Sequence, residues 1–290
     1  MSDFNPLNTP PDLNLTSDPL VETPAPDAET NAVLLDASPS GVAWVTINRA
    51  HRKNAFDQAT IAALREAFET LHGADHVRIV FVRGAGGTFC AGADLNWMRD
   101  SVDWSEADNR DDAHDLARML KALQDIPALT VALVEGVAMG GGAGLAAACD
   151  LALAVEDARF AFSEVRLGLI PATISPYVIE AVGPRLAKAL FCTGRMFDAA
   201  YARQIGLVQE VVADAEALLG AAERMAGEIM VAAPEASRLA KKLVRDVHGK
   251  TIDDSLMHET ARLIARRRVS PEGQEGVRAF LDRRKPAWAS

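Results

Sequence analysis

The sequence predicts an α/β fold with a helical C-terminal region. Three observations carry that reading. Short β-branched runs, such as Val42-Ala43-Trp44-Val45-Thr46-Ile47 and Val131-Ala132-Leu133-Val134, alternate with stretches whose apolar residues recur at helical spacing. Glycine clusters join strand-like runs to helix-like ones at Gly84 to Gly87, at Gly92 and at Gly140 to Gly144. From Ala215 onward the strand signal fades, and apolar stripes alternate with charges at helical spacing.

In chain order, residues 1–30 are rich in proline and acidic groups and poor in large apolar ones. Such a segment buries too little surface to offset the entropy of ordering. Residues 1–32 therefore read as a disordered tail, residues 33–225 as a folded core, and residues 226–290 as a helical C-terminal region. Val42 to Ile47 is a strand, and Arg49 to Phe56 a polar turn. Asp57 is an N-cap for a helix whose apolar face is Ile61, Leu64, Ala67, Phe68 and Leu71. Val77 to Val82 is the next strand. Residues 99–112 are crowded with Asp and Arg and read as a mobile segment. Leu116, Met119, Leu120 and Leu123 then mark an amphipathic helix that stops before Pro127. Val131 to Val134, Leu151 to Val155 and Arg159 to Phe162 are strands. Pro184 opens a helix, and Gly206 stops one ahead of a strand ending at Val212.

Composition bounds the function. The chain has 290 residues, 49% hydrophobic and 24% charged, which is ordinary for a folded protein with a sizeable core. A formal charge of −10 argues against a general affinity for nucleic-acid phosphates. No run approaches the roughly 18 apolar residues of a membrane span. The first basic residue is Arg49, so residues 1–30 lack the charged region of a secretory signal and the arginines of a transit peptide. A cytoplasmic location is the expectation. Cys90, Cys149 and Cys192 are far apart with no CxxC pair, and read as small buried thiols, with no metal site expected.

The stretch around which the chain is organised is Ala138-Met139-Gly140-Gly141-Gly142-Ala143-Gly144-Leu145. A strand, a glycine turn and a helix would point unpaired amides at whatever sits at the helix start. Such amides can hold a developing oxyanion. A plain tight turn satisfies the same cluster. A second turn, Ala91-Gly92-Ala93-Asp94, also precedes a helix-like stretch, so Ala93 and Gly141 are two donors able to meet at one carbonyl oxygen.

Together with Phe162-Ser163-Glu164-Val165-Arg166-Leu167-Gly168-Leu169-Ile170-Pro171, these segments resemble the crotonase (enoyl-CoA hydratase/isomerase) superfamily. The match runs in order through Asn54-Ala55-Phe56, Phe89 to Leu95, Gly136 to Gly142, Cys149-Asp150, Ser163-Glu164, Gly168 to Pro171 and Gly206-Leu207-Val208. It ends at Arg268-Val269-Ser270, Glu275-Gly276 and Ala279-Phe280-Leu281. The resemblance implies a crotonase-type spiral of ββα units, assembled as a homotrimer or homohexamer through the C-terminal region. It implies an acyl-CoA substrate, with no separate cofactor, whose thioester oxygen is held by the amides of Ala93 and Gly141 while Glu164 moves the proton. Ala55, Ala91, Asp94, Leu95, Asn96, Gly140 and Gly144 would lie along that substrate. Lys53, Arg283 and Lys285 are candidates for the CoA phosphates, with solvated surface charge as the alternative for each.

Typical hydratases of the family carry one glutamate three residues after the oxyanion-hole glycine and another twenty residues further on. Here the second is Glu164, but the first position is Gly144, which has no side chain. Asp94-Leu95-Asn96-Trp97-Met98 and Glu164 to Pro176 resemble bacterial methylglutaconyl-CoA hydratases of leucine breakdown and the related isohexenylglutaconyl-CoA hydratases. The expectation is hydration of a branched or carboxylated enoyl-CoA, with the substrate's carboxylate orienting water in the space left at Gly144. A double-bond isomerase using Glu164 alone and a non-catalytic acyl-CoA-binding protein are the alternatives. Trp97, Met98, Ile174 and Tyr177 are candidates for the acyl pocket or for plain core.

Other motifs carry less. Gly142-Ala143-Gly144-Leu145-Ala146-Ala147 fits a dinucleotide fingerprint and follows a strand-like run, yet it sits mid-chain and lacks a convincing acidic residue at the end of a following strand. His258-Glu259 begins like a zinc-protease helix, but Arg262 occupies the second histidine position.

Overall fold

The computed structural model describes residues 31–289. The tail reading of residues 1–32 therefore lies almost wholly outside the described residues. Strand β1 (Val33–Ala37) pairs antiparallel with β2 (Val42–Ile47), which pairs parallel with β3 (Ile79–Gly84). Strands β4 (Leu129–Val134), β6 (Leu151–Val155) and β9 (Glu210–Val212) complete a six-stranded sheet in the order β1-β2-β3-β4-β6-β9. Three short strands, β5 (Val137–Met139), β7 (Arg159–Ala161) and β8 (Met196–Asp198), form a second sheet in the order β5-β7-β8. Every residue of β2 is buried, as expected of a parallel-paired strand covered on both faces.

Helix α1 (Gln58–His72) starts where Asp57 caps it: the Asp57 carboxylate accepts from the Thr60 main-chain N–H at 2.8 Å. It buries Ile61, Leu64, Ala67, Phe68 and Leu71, the face that the periodicity selects. Helix α2 (Leu95–Asp100) is short, and α3 (Glu106–Gln124) follows. Residues 99–112 are thus largely helical rather than a mobile segment. Ser105 and Asp108 form a reciprocal capping box. Asp115 pairs with Arg65 and Arg118, so the charges line a solvated helix face. Helix α4 (Gly141–Ala148) is apolar throughout and almost wholly buried. Helix α5 (Ser175–Thr193) is broken at Gly183, whose φ of 77° and ψ of 158° are not helical, and Pro184 opens its second segment. Helix α6 (Ala199–Gln204) leads into Gly206 and β9.

Helices α7 (Ala215–Val231), α8 (Pro234–Val247), α9 (Asp254–Val269) and α10 (Pro271–Leu281) make up the C-terminal region. The described chain divides into two compact units, one of residues 31–126 and 130–222, the other of residues 127–129 and 223–289. In the second unit Arg267 pairs with Glu235 and Glu272, and Glu275 receives both Nη atoms of Arg284 at 2.7 and 2.8 Å. Cys90 and Cys149 are buried as expected, but Cys192 is exposed because it lies on the outer face of α5.

Candidate active site

The first turn is held from behind by two polar side chains. Asn54 is fully buried with a φ of 55°. Its Nδ2 donates to the carbonyls of Ala85 and Thr88 at 2.8 and 2.5 Å, and its Oδ1 accepts from the Arg49 main-chain N–H at 2.9 Å. The Arg49 guanidinium donates to the Ala55 carbonyl and pairs with Asp57 at 2.7 Å and Asp94 at 3.1 Å. Asp94 also caps α2 through the Asn96 N–H at 2.8 Å. Burial pushes the Asp94 carboxyl up, but the Asn96 N–H and the Arg49 charge outweigh it and hold the group below the usual carboxylate range.

That clamp aims the main chain. Phe56 N–H donates to the Gly92 carbonyl, and Asp94 N–H donates to the Phe56 carbonyl, both at 2.7 Å. Ala93 lies between these two bonds. It is exposed, and its own N–H has no acceptor among the described residues.

The second turn is stitched to the first. Met139 N–H donates to the Cys90 carbonyl at 3.0 Å, and Cys90 N–H donates to the Val137 carbonyl at 2.9 Å. A methyl group added at Gly142 would lie 2.5 Å from the Cys90 carbonyl oxygen, so only glycine allows this approach. The ring of Phe56, whose main chain flanks Ala93, lies within 3.2 Å of where a side chain at Gly141 would begin. Gly140 ends the turn with a φ of 48° and ψ of −117°, and Gly141 opens α4. The Gly141 N–H has no acceptor among the described residues, as befits the first residue of a helix. The Cys90 thiol behind this joint is fully buried, and burial pushes its pKa up to about 12, so it stays protonated and inert.

The carboxylate comes from the other side of the same turn. Gly140 N–H donates to the Ala161 carbonyl at 2.8 Å, which ties the turn to the end of β7. Glu164 begins a 3₁₀ turn, Glu164–Leu167, closed by Gly168 in the left-handed region. Glu164 Oε1 lies 3.2 Å from the point where a side chain at Gly140 would begin. Its Oε2 is buried with no hydrogen-bond partner among the described residues. Burial pushes the Glu164 carboxyl above the usual glutamate range, opposed in part by its own main-chain N–H. Two unpaired amides thus sit on an interlocked pair of turns, and a desolvated carboxylate from a third turn lies against the second of them at Gly140. Such a site can stabilise an oxyanion and move a proton beside it.

The sequence model of the enoyl-CoA hydratase/isomerase family matches residues 37–290. The chain belongs to the enoyl-CoA hydratase/isomerase family. A crystal structure of an enoyl-CoA hydratase from Shewanella pealeana is similar with 36% identity and a TM-score of 0.85, covering 90% of this chain and 97% of that one. One of an enoyl-CoA hydratase from Mycobacterium smegmatis is similar with 34% identity and a TM-score of 0.84, covering 90% and 100%. Enoyl-CoA hydratase AKT6-1 of Alternaria alternata is 33% identical over 248 residues, 85% of this chain and 80% of that protein. The expected crotonase fold is therefore the observed one, and the protein is an enzyme of the hydratase/isomerase type.

In this enoyl-CoA hydratase/isomerase the other expected site residues are placed unevenly. Ala55 is buried and its carbonyl serves Arg49, while Ala91 donates to the Lys53 carbonyl at 3.0 Å. Leu95 and Asn96 are exposed just past Ala93, with Leu95 at 74%. Lys53 is exposed beside the first turn; Arg283 and Lys285 are exposed in the other unit. None of these three cations forms an ion pair among the described residues. The space expected at Gly144 is a correction. A methyl group there would lie 2.2 Å from Ile174 Cγ2, so the buried Ile174 side chain already fills it, and a substrate carboxylate cannot orient water there. Ile174 is thus buried and packed against α4 at Gly144, and Trp97, Met98 and Tyr177 are partly exposed.

Sequence reasoning missed Arg49 and the structural weight of Asn54 and Phe56. A lone arginine carries no pattern until the fold brings residues 55, 57 and 94 to it. An asparagine before a helix cap was the one available hint, since asparagine tolerates the left-handed region.

Proposed function

We propose that this enzyme hydrates a branched enoyl-CoA of the methylglutaconyl type, with Glu164 as the sole carboxylate that moves protons. The observation that carries the reading is the pair of unpaired amides, Ala93 and Gly141, on interlocked turns, with Glu164 lying against the second turn at Gly140. The thioester oxygen accepts from both amides. Ionised Glu164 takes a proton from water as the water oxygen bonds to C3 of the enoyl chain. The C2=C3 electron pair moves toward the thioester, whose oxygen gains the charge. Glu164 then returns the same proton to C2, which collapses the enolate and leaves a 3-hydroxyacyl-CoA. One water is consumed and the carboxylate is regenerated. Each amide contributes about 3 kcal/mol to stabilising the enolate, by analogy with other oxyanion donors.

The branched chain is supported by the likeness of Asp94 to Met98 and Glu164 to Pro176 to methylglutaconyl-CoA hydratases, together with the absent side chain at 144. A second reading, double-bond isomerisation, is favoured by one feature: Ile174 rather than an acid stands at Gly144, and a one-carboxylate site can shuttle a proton from C2 to C4. Product analysis with 3-methylglutaconyl-CoA and crotonyl-CoA decides between them. A 3-hydroxyacyl product that drops about 100-fold or more in Glu164→Gln supports hydration; a shifted double bond with no hydrate supports isomerisation; equal turnover by Glu164→Gln refutes both.

The same reading places the protein in the cytoplasm, in leucine or isoprenoid breakdown, with no cofactor beyond the CoA thioester. It makes residues 226–290 an oligomerisation region of a homotrimer or homohexamer. Exposed Val244, Val269, Val277, Phe280 and Leu281 support that assignment. No helix among the described residues is long and apolar enough to cross a membrane.

A further inference from the structure

We propose that Ile174 is a specificity-determining residue, acting by interlock with Gly144 to keep any second side chain away from Glu164 and to wall that side of the acyl site with hydrocarbon. This rests on the proposed acyl-thioester reading of the turns. Gly144 N–H donates to the Gly140 carbonyl at 2.9 Å, so position 144 lies one helical turn beyond Gly140, the residue that precedes α4. The two main-chain positions are then about 6 Å apart along the helix axis. Glu164 Oε1 lies 3.2 Å from the point where a side chain at Gly140 would begin. A long polar side chain at 144 would therefore come within reach of that carboxylate, where it could donate, accept or hold water.

Ile174 forecloses this. Its Cγ2 and Cβ lie 2.2 and 2.6 Å from the point where a side chain at 144 would begin, and the residue is only 2% exposed. Room for one of the two side chains exists, and this chain gives it to Ile174. Glu164 Oε2 has no hydrogen-bond partner among the described residues, and glycine at 144 offers it none. A glutamate kept poor in partners retains its proton longer and returns it to carbon without competition from a second acid.

Because Ile174 Cβ itself crowds position 144, alanine at 174 does not make room and glycine does. The experiment is a cycle of G144A, I174G and the double variant, read by thermal midpoint, with kcat/KM for 3-methylglutaconyl-CoA and crotonyl-CoA in I174G. Each single variant lowers the midpoint, and the double variant loses less than their sum. In I174G the ratio of the two kcat/KM values shifts by about tenfold, the scale of a small apolar contact in a pocket. In G144E/I174G the pH profile of crotonyl-CoA hydration gains a second ionisation absent from I174G. Additive midpoint losses, or a substrate ratio in I174G equal to wild type, overturn the proposal; the ratio stands alone as the test if G144E/I174G does not fold. Wild-type protein and E164Q serve as controls. If wild type turns over neither thioester, the functional reading fails; if only the I174G ratio is unmoved, that reading stands and the role of Ile174 falls.

Discussion

Replacing Gly142 with alanine probes the joint between the two turns. The new methyl would lie 2.5 Å from the Cys90 carbonyl oxygen and 2.7 Å from Cys90 Cβ, whereas ordinary contact begins at 3.4 Å. The shortfall against the carbonyl is about 0.9 Å, and a main-chain oxygen cannot rotate away. Cys90 N–H and carbonyl are both committed to β5, so α4 must move instead. Overpacking of this kind costs about 1–3 kcal/mol, which is roughly 2–12 °C of thermal midpoint for a unit of this size. The same shift carries the Gly141 N–H away from Ala93. A displacement near 1 Å in a positioned group costs about 100-fold in rate. Steady-state kinetics with an enoyl-CoA, beside a thermal melt, reads both numbers. The loss falls on kcat, because the amides grip the enolate more tightly than the ground-state ester. A G142A protein with unchanged midpoint and unchanged kcat would refute the claim that close contact of these turns sets the geometry.

Three further expectations test other parts of the account. Glu164 is held above the usual glutamate pKa by burial, so the folded protein binds this proton more tightly than the unfolded chain, and the penalty grows as pH rises through the raised value. E164Q should therefore be more stable than wild type near neutral pH, with the difference vanishing below the ordinary glutamate range in urea melts taken across pH; equal stability at all pH values contradicts the desolvation. Replacing Arg49 with methionine strands the buried Asp94 carboxylate and should cost about 3 kcal/mol, seen in denaturant melts together with reduced turnover, whereas a silent substitution would deny Arg49 its clamping role. Glu275 is held down to about 2 by its paired hydrogen bonds from Arg284 and one from Ala287, so its contribution is present above the ordinary glutamate range and lost as pH falls toward 2; E275Q should flatten the acid limb of stability and speed amide exchange at residues 284–288, and an unaltered acid limb would count against it.

Much of this was legible in the sequence because the governing physics is local. Asp57 caps α1 through a residue three positions away, and the buried face of α1 follows from helical periodicity. The glycine turns before α2 and α4 announce themselves by composition. What stayed hidden depends on partners distant in sequence. The charge-crowded residues 99–112 look mobile until Ser105 and Asp108 are recognised as a reciprocal cap. Strands β5 and β8 are three residues each, too short for an alternating pattern to register. Gly144 reads as a vacancy only because residue 174 lies thirty positions on, and nothing local says that its side chain returns to fill the space.

The central claim is tested most directly by a crystal structure of the E164Q enzyme with a bound enoyl-CoA. The account predicts the thioester oxygen at about 3 Å from both the Ala93 and the Gly141 nitrogens, with the carboxamide at position 164 beside C2 and C3 of the chain. A thioester oxygen bonded to neither nitrogen, or a side chain at position 164 turned away from the reacting carbons, would contradict it.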